Sequence, residues 1–193
     1  MWIADAAGND LLRYDPRKKT LGVVTVFDGV PFPADAKVPP EFAKGNPVRG
    51  GKLETDPVPT GIAFDKNNDA YVTSPPGAPF LPSSGKILKV TSTGEKSDFV
   101  TGLTMPTDIR RGPDGKFYVV QFAMTGEQGP MPMSASVLRL SMDGQMEPVL
   151  EKLSFPTNID FNARGDAYVT VDGVGAPGSG SVVMDKGLAM HGM

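Results

Sequence analysis

Short runs in which apolar and polar residues alternate recur along the chain, and clusters of Gly, Asn and Asp separate them. A period of two predicts β-strands, and the clusters predict turns. After Pro106 the pattern predicts four strands, named A to D, at residues 108–111, 116–122, 136–141 and 145–151. Gly-Pro-Asp-Gly between A and B and Met-Asp-Gly between C and D predict tight hairpins, so the four strands form an antiparallel sheet.

This four-strand pattern is a repeat. Pro-Thr steps at Pro59, Pro106 and Pro156 open three related segments, and each step is followed by an A strand, a turn and a B strand. Four-stranded sheets recurring about every 40 to 50 residues are typical of β-propeller blades, whereas a β-helix has shorter coils. We therefore predict an all-β fold, a propeller of about 3.5 to 4 blades that forms a partial ring or a small four-bladed ring.

The repeat also predicts the organisation of a single domain, residues 1–193. The first blade lacks its A strand, and we align Trp2-Ile3-Ala4 with Ala70-Tyr71-Val72 of the second blade. The predicted segments are blade 1 at 2–30, a Pro-rich loop at 31–58, blade 2 at 59–103, blade 3 at 105–153, an incomplete blade 4 at 155–185 and an unstructured tail at 186–193. Incomplete blades at both ends suggest a fragment or a truncated gene product, and they predict self-association through exposed sheet faces.

Composition excludes several kinds of chemistry. The chain has no cysteine, so disulfides, thiolate nucleophiles and zinc-thiolate sites are absent. A formal net charge of -3 gives no electrostatic reason to expect nucleic acid as a partner. No apolar stretch approaches the roughly 20 residues of a membrane-spanning helix. The first residues, Met-Trp-Ile-Ala-Asp, lack the pattern of a secretory signal, and the sequence does not indicate a compartment.

The long connections predict where ligands bind. In a blade of up-and-down strands, the B–C loops at 74–84, 123–135 and 172–180 and the 31–57 link lie on one side, where the A strands begin beside the channel. Loops on a rigid scaffold commonly carry binding residues. The candidates for binding a small molecule or a protein are Thr60, Thr107, Asp108, Thr157 and Asn158 at the channel mouth, and Phe80, Leu81, Met131 and Met133 in the loops.

Each candidate also has a structural interpretation. A Thr hydroxyl can bond a neighbouring backbone group, Asp and Asn can stabilise turns, and the loop residues can pack against their own loops. Oxygens of Asp108 and Asn158 could hold Ca²⁺, but this cation prefers six to eight oxygen ligands. The only histidine, His191, lies in the predicted tail, and no catalytic constellation is evident. We expect no cofactor, and a binding protein more than an enzyme.

Several motifs resemble the ScyD/ScyE family of NHL-type β-propellers. They are Trp2 to Asp15, Val58 to Phe64, Gly85 to Val90, Gly112 to Gly115 and Phe155 to Asn158. Family members are commonly longer, often carry an export signal and have no firmly assigned activity. The resemblance implies a non-catalytic binding or scaffold propeller. A similarity to lactonase and phosphotriesterase-like propellers implies the alternative of Ca²⁺-dependent ester or lactone hydrolysis, with Asp108 and Asn158 as metal ligands. A remnant without activity is the third possibility.

Overall fold

The computed structural model describes residues 1–33, 44, 48–49, 52–126 and 129–190. The strands in this part of the chain are β1 (Trp2–Asp5), β2 (Asp10–Asp15), β3 (Thr20–Val26), β4 (Val30–Pro31), β5 (Val48–Arg49), β6 (Lys52–Thr55), β7 (Ile62–Phe64), β8 (Ala70–Ser74), β9 (Gly85–Val90), β10 (Lys96–Leu103), β11 (Pro106–Arg111), β12 (Phe117–Gln121), β13 (Thr125–Gly126), β14 (Gly129–Pro130), β15 (Ala135–Leu140), β16 (Met146–Leu153), β17 (Asn158–Phe161), β18 (Ala167–Val171) and β19 (Ser181–Asp185). Within these ranges, no helix has the length and apolar content needed to cross a membrane.

Four antiparallel sheets follow one another along the chain. Sheet 1 contains β1, β2 and β3, sheet 2 contains β7 to β10, sheet 3 contains β11, β12, β15 and β16, and sheet 4 contains β17, β18 and β19. In each sheet the spatial order follows the chain order, which is the up-and-down arrangement of a propeller blade. The prediction of an all-β propeller is confirmed. In the part of the chain that the structure describes, the four sheets do not close into a ring.

The turns between A and B strands use residues suited to a left-handed backbone. Asn68, Gly115 and Gly165 occupy equivalent turn positions with φ of 63°, 82° and 79°. Glycine adopts this conformation without steric cost, and Asn tolerates it better than most residues. The hairpins predicted from the Gly, Asn and Asp clusters therefore rest on local backbone chemistry.

The core consists of three apolar layers between successive sheets. The B strands of sheets 2 and 3 are buried on both faces, because alternate residues point to opposite neighbours: Tyr71 faces sheet 3, whereas Val72 faces sheet 1. The buried residues between sheets 1 and 2 are Leu11, Phe27, Ala70, Val72, Leu88 and Val90. Those between sheets 2 and 3 include Ile87, Ile109, Phe117, Val119 and Leu140, and those between sheets 3 and 4 include Tyr118, Val137, Ile159, Val169 and Ala189.

Aromatic pairs connect each sheet to the next. The ring centroids lie 5.6 Å apart for Trp2 and Phe64, 4.6 Å apart for Tyr71 and Phe117, and 4.6 Å apart for Tyr118 and Phe161. Such a pair stabilises the fold by about 0.5–1.5 kcal/mol beyond the contribution of the apolar area that it buries. The same B-strand position therefore carries an aromatic residue in sheets 1, 2 and 3.

This equivalence corrects the alignment of the first blade. Trp2 pairs with Arg13 across β1 and β2, as Tyr71 pairs with Lys89 across β8 and β9. Trp2 therefore occupies the position of Tyr71, and the alignment with Ala70 is wrong by one residue. Because side chains alternate between faces, a shift of one residue reverses the direction of every side chain in the strand.

The predicted unstructured tail is wrong for residues 186–190. Leu188 and Ala189 are buried between sheets 3 and 4. The Gly187 N–H donates to Asp166 Oδ1 at 2.9 Å, and the Ala189 N–H donates to the Gly165 carbonyl at 3.0 Å. Residues 191–193, with His191, lie outside the described residues.

The long link between sheets 1 and 2 contains strands that its sequence did not predict. β6 pairs with β4 and with β5 in a small antiparallel sheet. Thr55 at the end of β6 is buried, and its hydroxyl donates to the Ala78 carbonyl at 2.9 Å, while the Gly77 N–H donates to the Asp56 carbonyl at 2.8 Å. The end of the link therefore packs on the B–C loop of sheet 2. Residues 34–43, 45–47 and 50–51 of this link lie outside the described residues.

Candidate functional site

The beginnings of the A strands surround a cavity of about 460 Å³. Three of these strands belong to sheets 2, 3 and 4, and β1, an edge strand of sheet 1, completes the wall. The residues that line the cavity are Trp2, Ala4, Thr60, Gly61, Ile62, Thr107, Asp108, Arg110, Thr157 and Asn158. The structure thus brings together the five channel-mouth candidates from the sequence.

Gly61 permits the close approach of the A strands in sheets 2 and 3. A Cβ atom at this position would lie 2.7 Å from Asp108 Oδ1 and 2.7 Å from the Ile109 nitrogen. Both distances are shorter than carbon contacts in packed proteins, and the Ile109 nitrogen is a backbone atom that cannot move alone. Glycine at this position therefore fixes where Asp108 enters the cavity wall.

Asp108 joins the A strands of sheets 3 and 4. Only 3% of the residue is exposed, and its Oδ2 accepts hydrogen bonds from Asn158 Nδ2 at 2.8 Å and from the Ile159 N–H at 3.1 Å. Arg110 Nη1 lies 3.5 Å from the other carboxylate oxygen, Oδ1. Burial raises the pKa of Asp108 above its ordinary value, while the Ile159 N–H and the Arg110 charge oppose this shift.

The three threonines join each A strand to its neighbouring B strand. The hydroxyl oxygens of Thr60 and Thr73 lie 2.9 Å apart, and those of Thr157 and Thr170 also lie 2.9 Å apart. In sheet 3 the partner residue is Val120, whose carbonyl accepts from the Thr107 hydroxyl at 3.5 Å. The Pro-Thr steps thus stabilise the cavity rim while exposing hydroxyl oxygens to it.

The carboxylate of Asp108 does not fit a Ca²⁺ site. Ca²⁺ needs oxygen ligands, but Oδ2 of Asp108 faces the amide nitrogen of Asn158, and Oδ1 faces the positive charge of Arg110. Across the part of the chain that the structure describes, no three His, Cys, Asp or Glu side chains are grouped so as to hold a metal ion. The cavity wall around Asp108 therefore presents hydrogen-bonding groups and not a set of oxygen ligands for a cation.

The loop candidates form a separate group. Phe80, Met131 and Met133 are exposed and Leu81 is half-buried, and none of them lines the cavity. The two loops contact each other, because the Thr125 hydroxyl donates to the Phe80 carbonyl at 3.2 Å. The structure therefore separates the nine candidates into five at the cavity and four on the loop surface.

Sequence reasoning missed Trp2, Ala4, Ile62 and Arg110. Arg110 could have been found from its position two residues after Asp108, since alternate residues of a strand share a face. Trp2 and Ala4 were missed because the sequence places them in a B strand, and only the starts of A strands were expected at the channel mouth. Only the folded chain shows that β1 lies beside the starts of the A strands at the cavity.

Comparisons with solved structures identify the fold class. Two structures of virginiamycin B lyase from Staphylococcus aureus, one of them a catalytically inactive form with quinupristin, match with TM-scores of 0.54 and 0.55 at 13% and 14% identity. In both, the match covers 96% of this chain and 51% of the lyase. A putative gluconolactonase matches with a TM-score of 0.50 at 13% identity, over 94% of this chain and 61% of that structure.

These neighbours are β-propellers, and at such low identity they show the fold alone. This chain spans about half the length of the lyases that it matches. No family model matches the chain, and no curated protein matches it.

Proposed function

We propose that this chain is a non-catalytic binding propeller of the ScyD/ScyE type, which holds a small polar molecule at the channel mouth. The observation that carries this proposal is the convergence of three threonine hydroxyls, an amide, a carboxylate and a guanidinium on one cavity of about 460 Å³. Ligand sites are typically concave and contain a few convergent polar groups. The long loops beside the cavity are proposed as a surface for a protein partner.

The charge distribution favours a ligand with an anionic group. Arg110 has a side chain that is 36% exposed, and only one of its donors faces Asp108. A guanidinium has five N–H donors in a planar fork, so Arg110 retains donors for a carboxylate. Threonine hydroxyls can bond ligand hydroxyls. We infer a small hydroxylated carboxylate as the ligand class.

The contacts of Asp108 favour a binding site over a site for hydrolysis. Asp108 accepts two hydrogen bonds on Oδ2 and faces Arg110 on Oδ1. The groups around this carboxylate are N–H donors and a positive charge, and not the oxygen ligands that Ca²⁺ prefers. The same hydrogen bonds support a fixed, preorganised binding wall.

Trp2 makes binding measurable, since it is the only tryptophan of the chain and it lines the cavity. Sodium gluconate, a small hydroxylated carboxylate, is the probe. We expect a saturable change in Trp2 fluorescence, its loss in Arg110→Gln, and its retention in Arg17→Gln, which changes an exposed arginine on the β2–β3 turn. Absence of a saturable change with gluconate, lactate and citrate would refute this ligand class.

A calcium titration tests the alternative function. Millimolar CaCl₂ is expected to leave the melting temperature unchanged. A rise in melting temperature that Asp108→Ala abolishes would instead support the Ca²⁺-dependent hydrolase.

A further inference from the structure

Among the residues that the structure describes, no sheet covers one apolar face of sheet 4. Tyr168 pairs with Met184, and Thr170 pairs with Val182, so Tyr168, Val182 and Met184 point to the same side of the sheet. All three are exposed, and Val182 is 61% exposed. Val169 points the other way and is buried against sheet 3. We call the group of Tyr168, Val182 and Met184 the last face.

Sheet 1 also has an apolar face that no sheet covers in the described part of the chain. Ile3 pairs with Leu12, Leu12 pairs with Val23, and Leu21 lies two residues before Val23, so these four residues share one side. Leu21 and Val23 are exposed, with 59% of Val23 accessible to solvent. Leu11 points the other way and is buried against sheet 2. We call the group of Ile3, Leu12, Leu21 and Val23 the first face.

The two faces are the two halves of an interface that the chain already forms three times. Tyr168 of the last face is equivalent to Tyr71 and Tyr118, which pack on aromatic rings of the following sheets. Ile3 and Leu12 of the first face are equivalent to Val72 and Leu88, which are buried against the preceding sheet. The last face therefore resembles a surface that receives a following sheet, and the first face resembles a surface that receives a preceding one.

We propose that a second copy of this chain covers these faces. The last face of each copy packs against the first face of the other, so that two identical contacts close a ring of eight sheets. The two surfaces of each contact differ, which makes the contact heterologous, and a twofold rotation closes it. The length of the structural neighbours supports a second copy as the occupant. One chain spans 51% of a virginiamycin B lyase, so two chains together span about the length of one lyase.

Variants at exposed positions test the contact without disturbing the core. Val182→Lys alters only the last face and Val23→Lys only the first face. Val174→Lys is the matched control, because Val174 is 58% exposed in the loop after β18 and lies on neither face. Light scattering coupled to size-exclusion chromatography measures the mass of the full chain over a range of concentrations.

We expect two-copy particles for the unaltered chain and for Val174→Lys. Each face variant alone is expected to associate at least about tenfold more weakly, because both of its contacts bury an unpaired ammonium group. An equal mixture of Val182→Lys and Val23→Lys is expected to recover two-copy particles. In that mixture, one contact joins the intact last face of Val23→Lys to the intact first face of Val182→Lys. The other contact carries both lysines and is expected to stay open, so the mixed pair is held by a single contact.

Three results would overturn the proposal. The first is a monomer at all concentrations, which would assign the two faces to a different partner. The second is loss of association in Val182→Lys but not in Val23→Lys, which would indicate a symmetric contact between two last faces. The third is failure of the mixture to associate. Gluconate binding is measured separately, so failure of the binding proposal leaves this test intact.

Discussion

Replacing Asp108 with alanine is expected to destabilise the fold by about 2–3 kcal/mol. The change leaves the buried Ile159 N–H without its acceptor, which costs about 1–3 kcal/mol, and removes the partner of the Asn158 amide, which costs about 1 kcal/mol. The 3.5 Å pair with Arg110 adds little, since that side chain is partly exposed. Removal of a carboxylate that is unfavourable to bury offsets part of the loss.

Urea unfolding followed by Trp2 fluorescence and circular dichroism measures the difference. For a chain of this size, a loss of 2–3 kcal/mol corresponds to a fall in melting temperature of roughly 5–10 °C. Asp108→Asn is the matched control, because its amide oxygen still accepts a hydrogen bond, and we expect it to cost about 1 kcal/mol or less. The reasoning fails if both variants lie within about 0.5 kcal/mol of the unaltered protein, or if Asp108→Asn is the less stable.

The unaltered protein and Asp108→Asn are also expected to differ in how their free energy of unfolding depends on pH. Burial raises the pKa of Asp108 in the folded state above its ordinary value of 3.8, so the folded protein binds this proton more tightly than the unfolded chain. Stabilisation by the protonated Asp108 carboxyl is fully present below pH 3.8 and is lost as the pH rises through the folded-state pKa. The free energy of unfolding of the unaltered protein, relative to Asp108→Asn, is therefore larger near pH 4 than near pH 7. An opposite slope would contradict the effect of burial.

The remaining predictions concern packing and the C-terminal segment. Gly61→Ala is expected to destabilise by about 1–3 kcal/mol in urea unfolding, whereas Gly22→Ala, whose added Cβ meets no atom within 4 Å, is expected to be close to neutral. Leu188→Ala is expected to cost about 2–4 kcal/mol and Met190→Ala, at an exposed residue, under about 0.5 kcal/mol; equal effects would contradict a packed segment. Hydrogen bonds lower the pKa of Asp166, so its stabilisation is expected to fade as pH drops below 3.8, and Asp166→Asn should lose that dependence in acid unfolding.

The strands were predictable because the residues that specify each strand and each turn lie close together in the sequence. Short runs rich in aromatic and β-branched residues, such as Ala70 to Thr73, specify a strand, and the Gly or Asn in each turn specifies a hairpin. Repetition of the whole unit then predicted the propeller. Positions at the start of each A strand were also predictable, since the Pro-Thr steps mark where these strands enter the channel.

Distant contacts were not predictable from these signals. Nothing local indicated that the Asn158 amide would donate to Asp108, which is 50 residues away, and would thereby occupy an oxygen considered for Ca²⁺. The burial of Leu188 and Ala189 also depends on sheets 3 and 4 being in place.

The sequence by itself determined the repeating unit, the turns and the side of the propeller where the A strands begin, because each depends on residues close together in the chain. The tertiary structure alone decided the register of Trp2, the hydrogen bonding of Asp108 and the position of Arg110 in the cavity wall. Each of these depends on how close one sheet approaches the next. That distance is set by packing, such as the missing Cβ of Gly61 beside Asp108, and not by the pattern within any one strand.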